Sequence, residues 1–342
     1  MQTKFKYVAI AELLIILLLA ALLFANLKNE SSRESKFKDQ TDFCSRTQNY
    51  TGLLSPRVYS GILEPKSLLI VNFDPLRQKI EQYALEQNIS LNVYLVNLRN
   101  GASFGINEKK GFLPASLNKV PTAIMILKKI ERGRLSFDTM IAINESDKSS
   151  SFGNLYKTNA AELPLRYLLE KMLKESDNTA FNALRRQTDE SDLPFLLSYL
   201  DYHSDDIVVA NATINGRDIY EFTTAKSMYN LFASLYLSTL LEPEHSEYIL
   251  SLLSDTVFDI KKIAGLPENV TVSQKFGEEY VANEKYFHTC GIMYIDRSRI
   301  FFCVATQDLG EKKAQQTIGV ITYWIYKFTI DIRSELDTYK EE

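Results

Sequence analysis

The chain has 342 residues, 45% of them hydrophobic, enough to bury a large core in one or two domains. Its net charge of −4 offers no basic surface, which argues against nucleic acid as a partner. Three cysteines (Cys44, Cys290 and Cys303) are too few for a disulfide-stapled scaffold and show no C-x-x-C metal spacing.

Behind Lys4 and Lys6 runs an apolar stretch over residues 8–27, broken only by Glu12 and Asn26. It is long enough to span a bilayer as a helix. No small-x-small cleavage site ends it, so a retained signal anchor is preferred over a cleaved signal peptide. Flanking charges do not settle the orientation, because long domains translocate largely regardless of them. Residues 28–66 are rich in Ser, Asn, Asp, Lys and Arg and read as a tether, and a globular domain is expected over 67–342.

Within that domain Asp74-Pro75 begins a helix over 76–87. Two strands follow, at 91–98 and 102–106, joined at the hairpin signal Asn100-Gly101. A helical block with interruptions is expected from Ser116 to Leu241. Strands return at 270–274, 287–295 and 300–306, and an apolar helix over 314–330 closes the chain. Strands at both ends with helices between predict an α/β (α+β) domain: one antiparallel sheet completed by both ends, plus an inserted helical lobe.

Four short patterns could carry chemistry. Gly101-Ala102-Ser103-Phe104-Gly105 fits G-x-S-x-G, but a nucleophile elbow needs a helix directly after the serine, and here more strand follows. It reads as a turn. Ser116-Leu117-Asn118-Lys119 stands at the head of an apolar run, 120–127, that implies a buried helix. Residues three apart share a helix face, so Lys119 would lie beside the Ser116 hydroxyl. A buried lysine must be paired or lose its proton, and a neutral amine beside a serine is a competent base. The bland alternative is a helix cap followed by an exposed lysine. Ser176-Asp177-Asn178 follows an apolar helix and would ordinarily be a cap or turn. Lys275-Phe276-Gly277 ends a strand, where a small residue lets a ligand approach the backbone.

In the order S-x-x-K, S-D-N, K-x-G, with Ser176 60 residues after Ser116 and Lys275 99 residues after Ser176, these motifs resemble the class A β-lactamase and penicillin-binding serine hydrolases. The resemblance covers residues 70–335 and includes Phe112-Leu113-Pro114-Ala115, Thr223-Thr224-Ala225 and Cys290-Gly291-Ile292. It implies Ser116 as nucleophile, Lys119 as its base or relay, and Ser176 as proton carrier to the leaving group. It further implies that Asn178 and Lys275 bind substrate, and that the backbone N–H groups of Ser116 and Glu278, beside Gly277, form an oxyanion hole. The implied substrate is a β-lactam or a peptidoglycan-type D-alanyl peptide, with no metal or organic cofactor, and the domain would lie outside the cytoplasm.

Two departures from that pattern matter. Phe276 replaces the hydroxyl residue of K-T-G, and Ser273 need not face the site on an alternating strand. The segment 207–215, where a class A enzyme carries its deacylating glutamate, has no acidic residue, and Asp205, Asp206, Asp218 and Glu221 are poor matches. Slow deacylation is therefore expected, with a catalytically weak or inactive envelope-binding domain as the alternative. A third reading, an α/β-hydrolase using Ser103 with His203, His245 or His288, is disfavoured by the hairpin. Cys290 and Cys303 are expected to remain unpaired, because a hairpin tip at Arg297-Ser298 would leave them diagonal.

Overall fold

In the computed structural model of the chain, the described residues are 53–54, 72–189, 191–192, 196, 200, 212–214, 217–219, 223–281, 284–296 and 298–338. The chain divides into two compact units, Met1–Thr51 and Gly52–Glu342. The first, with the stretch read as a membrane span, lies outside the described residues, as do Cys44, His203, Asp205, Asp206 and Glu221. Among the described residues no helix is long and apolar enough to cross a membrane.

The second unit opens with helix α1 (Asp74–Gln87), which buries Leu76 and Ile80 and carries Pro75 in its first turn. Asn88, at φ 49°, turns the chain in the left-handed region and starts the hairpin of β1 (Ser90–Asn97) and β2 (Ser103–Ile106). Val96 pairs with Ser103, so Ser103 sits in a strand, and Gly101 at φ +75° makes the turn. No helix begins directly after Ser103, because β2 runs on to Ile106.

The helical lobe contains α2 (Lys119–Glu131), α3 (Leu165–Lys174), α4 (Asn178–Arg185), α5 (Ala225–Tyr236) and α6 (Pro243–Leu253); α7 (Ile260–Ala264) follows outside it, in the core on the opposite face of the sheet. Two of the interruptions expected in the helical block are small hairpins. One small hairpin pairs β3 (Met140–Ala142) with β4 (Glu162–Pro164), and another pairs β5 (Ala212–Ile214) with β6 (Arg217–Ile219). α3 buries Leu165, Leu168, Leu169, Met172 and Leu173, a single apolar stripe at helical spacing.

The chain returns to the sheet through β7 (Thr271–Val281), β8 (Glu284–Ile295) and β9 (Ser298–Gln307), and ends in α8 (Glu311–Thr338). The sheet order is β2-β1-β9-β8-β7, and every pairing is antiparallel. β1 and β9 thus join the two ends of the domain, as the element order implies. β7 is longer than its sequence suggests: it runs through Lys275-Phe276-Gly277 to Val281 and forms a free edge.

Side chains alternate across the sheet. One face, with Val272, Phe276, Phe287, Phe302 and Val304, packs on Ala314, Ile318, Ile321 and Ile325 of α8 and on Leu76 and Ile80 of α1. The other meets the lobe, where Phe301 touches Phe232 and Tyr229 of α5. Ser273 donates to the Leu250 carbonyl of α6 at 2.8 Å, so it faces the lobe interior and not a ligand.

The expectation of unpaired cysteines is overturned. Ile295 pairs with Ser298, which brings Cys290 opposite Cys303, and the two form a fully buried disulfide. Arg297 lies outside the described residues, but the pairing Ile295–Ser298 shifts the hairpin by one residue from the tip at Arg297-Ser298 that was assumed. Leu53 and Leu54, within the stretch read as a tether, are buried, and the Tyr294 hydroxyl donates to the Leu53 carbonyl at 2.8 Å.

Candidate active site

The three motifs converge where the lobe meets the free edge of β7. A short 3-10 turn, Ala115–Asn118, carries Ser116 directly into α2, whose first residue is Lys119. Positions three apart eclipse in such a turn, which stacks the lysine over the serine. Ala115 is held at φ +48°, a left-handed conformation that a non-glycine residue adopts at a cost of roughly 1–3 kcal/mol. The surroundings that impose it are β7, packed against the turn: a Cβ built on Gly277 would fall 2.8 Å from the Pro114 carbonyl and 3.3 Å from the Ala115 Cβ. Only glycine lets strand and turn come this close. Phe112 bridges Thr223 in antiparallel fashion, and Thr224 caps α5 by accepting from the Ser227 N–H.

Ser176 leaves α3 at φ +54°, again left-handed, and its side chain is fully buried. Asp177 caps α4 by accepting from Ala180 N–H at 2.9 Å and also accepts from Leu155 N–H at 2.8 Å. The ordinary reading of Ser-Asp-Asn as a cap is therefore correct for Asp177, while its two neighbours point into the site.

Lys119 is 1% exposed. Its Nζ lies 2.9 Å from Ser116 Oγ, 3.0 Å from Ser176 Oγ, 2.6 Å from the Ser176 carbonyl and 2.6 Å from Asn178 Oδ1. Burial pulls its pKa down to about 7, and the charges of Asp177 and Glu279 only partly oppose this. The contacts accommodate the neutral amine. Two N–H bonds go to the groups that can only accept, the Ser176 carbonyl and Asn178 Oδ1, and the lone pair is left to accept from a hydroxyl. Ser116 is half-buried and so remains within reach of a ligand.

Lys275 is fully buried, and its Nζ donates to Ser176 Oγ at 2.9 Å and to the Phe276 carbonyl at 3.2 Å. Burial, reinforced by the charge of Lys119, holds its pKa well below the usual lysine range. Ser176 Oγ thus bridges the two amines. Asn178 donates from Nδ2 to Ser151 Oγ at 2.7 Å, and its backbone N–H reaches the Phe152 carbonyl at 3.1 Å.

All predicted site residues, Ser116, Lys119, Ser176, Asn178, Lys275, Gly277 and Glu278, lie in this one region. Sequence reasoning missed the loop of Ser149, Ser151 and Phe152, which holds Asn178 from the open side. Its only signal was a Ser-rich cluster ending in Gly153, ordinary for a loop. Gly153 itself packs on Asp177: a Cβ there would fall 2.1 Å from the carboxylate. Among the described residues no cluster of His, Cys, Asp or Glu could hold a metal ion.

Comparison with known proteins agrees with the fold. The chain is 24% identical over 220 residues to the β-lactamase VEB-1 of Pseudomonas aeruginosa, covering 61% of this chain and 74% of that protein. Among solved structures, PBP-A is similar with a TM-score of 0.65 at 19% identity, covering 75% of this chain and 97% of PBP-A. A β-lactamase from Chitinophaga pinensis gives a TM-score of 0.63 at 20% identity, with coverages of 74% and 99%. The TLA-3 extended-spectrum β-lactamase gives 0.66 at 18% identity, with coverages of 76% and 100%. The β-lactamase enzyme family matches residues 75–329, from α1 to the middle of α8 and across every motif above, and the chain belongs to that family of β-lactamase-like serine hydrolases.

Proposed function

We propose that the protein forms an acyl-enzyme on Ser116 with an amide- or ester-type acyl donor of the β-lactam or D-alanyl peptide kind, and hydrolyses it slowly. The observation that carries this is the Lys119 amine, 2.9 Å from Ser116 Oγ with a pKa near 7, a base matched to neutral pH. Lys119 takes the Ser116 proton as Oγ bonds to the donor carbonyl. The backbone N–H groups of Ser116 and Glu278 hold the developing oxyanion. As the bond to the leaving nitrogen or oxygen breaks, Ser176 gives that atom its proton and is recharged through Lys119 or Lys275, both within 3.0 Å. Water then cleaves the ester, releasing the acid and restoring Ser116.

Slow turnover follows from the missing carboxylate in 207–215, since the amines alone must activate that water. The apolar stretch at 8–27 supports placing the domain outside the cell on a membrane anchor, where peptidoglycan-type donors are found. PBP-A, a similar fold, has been solved in mutant form as an acyl-enzyme with penicillin G. A binding-only role is the competing reading, and Phe276 is the residue that favours it.

Intact-mass analysis of the protein during incubation with benzylpenicillin and with a D-alanyl depsipeptide separates the two. A Ser116-dependent adduct, absent in Ser116→Ala and lasting many minutes, is expected. Absence of any adduct with either donor would leave only the binding role.

A further inference from the structure

The lysine on β7 is not built as an anion receptor. Lys275 is fully buried, its amine engaged by Ser176 Oγ and the Phe276 carbonyl, and the Phe276 ring lies 4.1 Å from Nζ. A carboxylate approaching that amine would have to displace an aromatic ring. The ring is fixed: Phe276 is 4% exposed and packs on Phe258 at 5.2 Å and on Phe152 at 5.5 Å, with Phe287 behind Phe258 at 5.4 Å. Phe152 comes from the same loop that holds Asn178, so this aromatic wall stands at the border of the site.

Beyond the wall the strand turns acidic. Glu278 is half-buried, and burial together with Glu311 of α8 pushes its carboxyl above the ordinary range. Glu279 follows, close enough for its charge to act on Lys119. On the neighbouring strand Lys285 pairs with Tyr280 and lies over its ring at 5.5 Å, farther along the hairpin than Glu279. Desolvating a carboxylate against aromatic rings and next to two carboxylates is unfavourable on every count.

We propose that the acyl donor carries an uncharged, apolar group where it lies along β7, so that this enzyme selects neutral esters or amides over free carboxylates of the same scaffold. Phe276 and Glu279 are the specificity-determining side chains: the ring of the first covers the Lys275 amine and offers an anion no hydrogen bond, and the charge of the second, on the same face of the strand as Lys275, repels an anion. The inference rests on the acyl-transfer reading of Ser116 and narrows its substrate class.

The test compares acylation of Ser116, followed by intact mass, by benzylpenicillin and by its methyl ester, and by a D-alanyl depsipeptide acid and its methyl ester. The esters are expected to react roughly tenfold faster or more. Phe276→Thr should narrow that ratio or reverse it. Should that variant melt well below the parent, Glu279→Gln provides the same reading, as an increase in the acid-to-ester rate ratio. Equal rates, or faster acylation by the acids, would overturn the neutral-donor inference while leaving the nucleophile in place. Absence of an adduct with all four donors would overturn the acyl-transfer reading, and this inference with it.

Discussion

The two halves of the site are built differently. On the lobe side, Ser116, Lys119, Ser176 and Asn178 form a closed hydrogen-bonded set with every contact at 3.0 Å or less. On the strand side, Lys275 is drawn into that set through Ser176 while the residue after it, Phe276, faces away into an aromatic cluster. The lobe side holds the groups that the proposed proton transfer needs, whereas on the strand side a phenylalanine stands where the resemblance would place a hydroxyl. Machinery and specificity therefore vary separately. The first depends on a few fixed distances, the second on what lines one strand.

The sharpest way to break this comparison is at the lobe. Lys119→Met should lower the Ser116 acylation rate by about 10²–10⁴-fold if the amine is the base. In the unmutated protein the rate should climb about tenfold per pH unit up to about 7 and then level, because Lys119 acts only when neutral. The same time courses run from pH 5.5 to 8.5 check both statements, and a flat profile in the unmutated protein would remove Lys119 from that role.

The contact between the halves is next. Gly277→Ala places a methyl group 2.8 Å from the Pro114 carbonyl and 3.0 Å from the His288 ring, so strand and turn must separate. A displacement of this kind costs about a hundredfold in acylation rate. An unchanged rate would mean that the strand contributes nothing to the reacting geometry.

The smallest effect lies behind the strand. His288, opposite Gly277 on β8, is fully buried beside Phe112, and burial lowers its pKa from the ordinary 6.5 to about 4. The folded protein therefore keeps this ring neutral while the unfolded chain takes up a proton below pH 6.5. Stability present above that pH is lost as pH falls towards 4, by about 2 kcal/mol between pH 7 and pH 5. Urea midpoints at the two pH values should show this loss in the parent and its absence in His288→Leu.

Several of these features were legible without coordinates. The β1–β2 hairpin announced itself through Asn100-Gly101, and Ser103 is in a strand as that turn required. The pairing of both chain ends into one sheet followed from element order, and the motif order named residues that the structure brings together. Other features had no local signal. The Cys290–Cys303 bridge turned on a hairpin tip shifted by one residue from the one assumed, and register is set by the whole sheet. The Ser149–Phe152 loop looks like any polar turn until Asn178 is seen against it.

By itself, then, the sequence determined the residue types and their order: an amine three positions after a serine, a serine and an asparagine after an apolar helix, a lysine before a ring and a glycine on a strand. Those patterns are fixed by helix and strand periodicity, which act over a few residues. The tertiary structure decided the charge state of Lys119, the inward turn of Lys275 and the placing of the Phe276 ring over its amine. Each of these depends on burial and on neighbours brought from distant parts of the chain. Desolvation exists only once the lobe and the sheet have closed on one another.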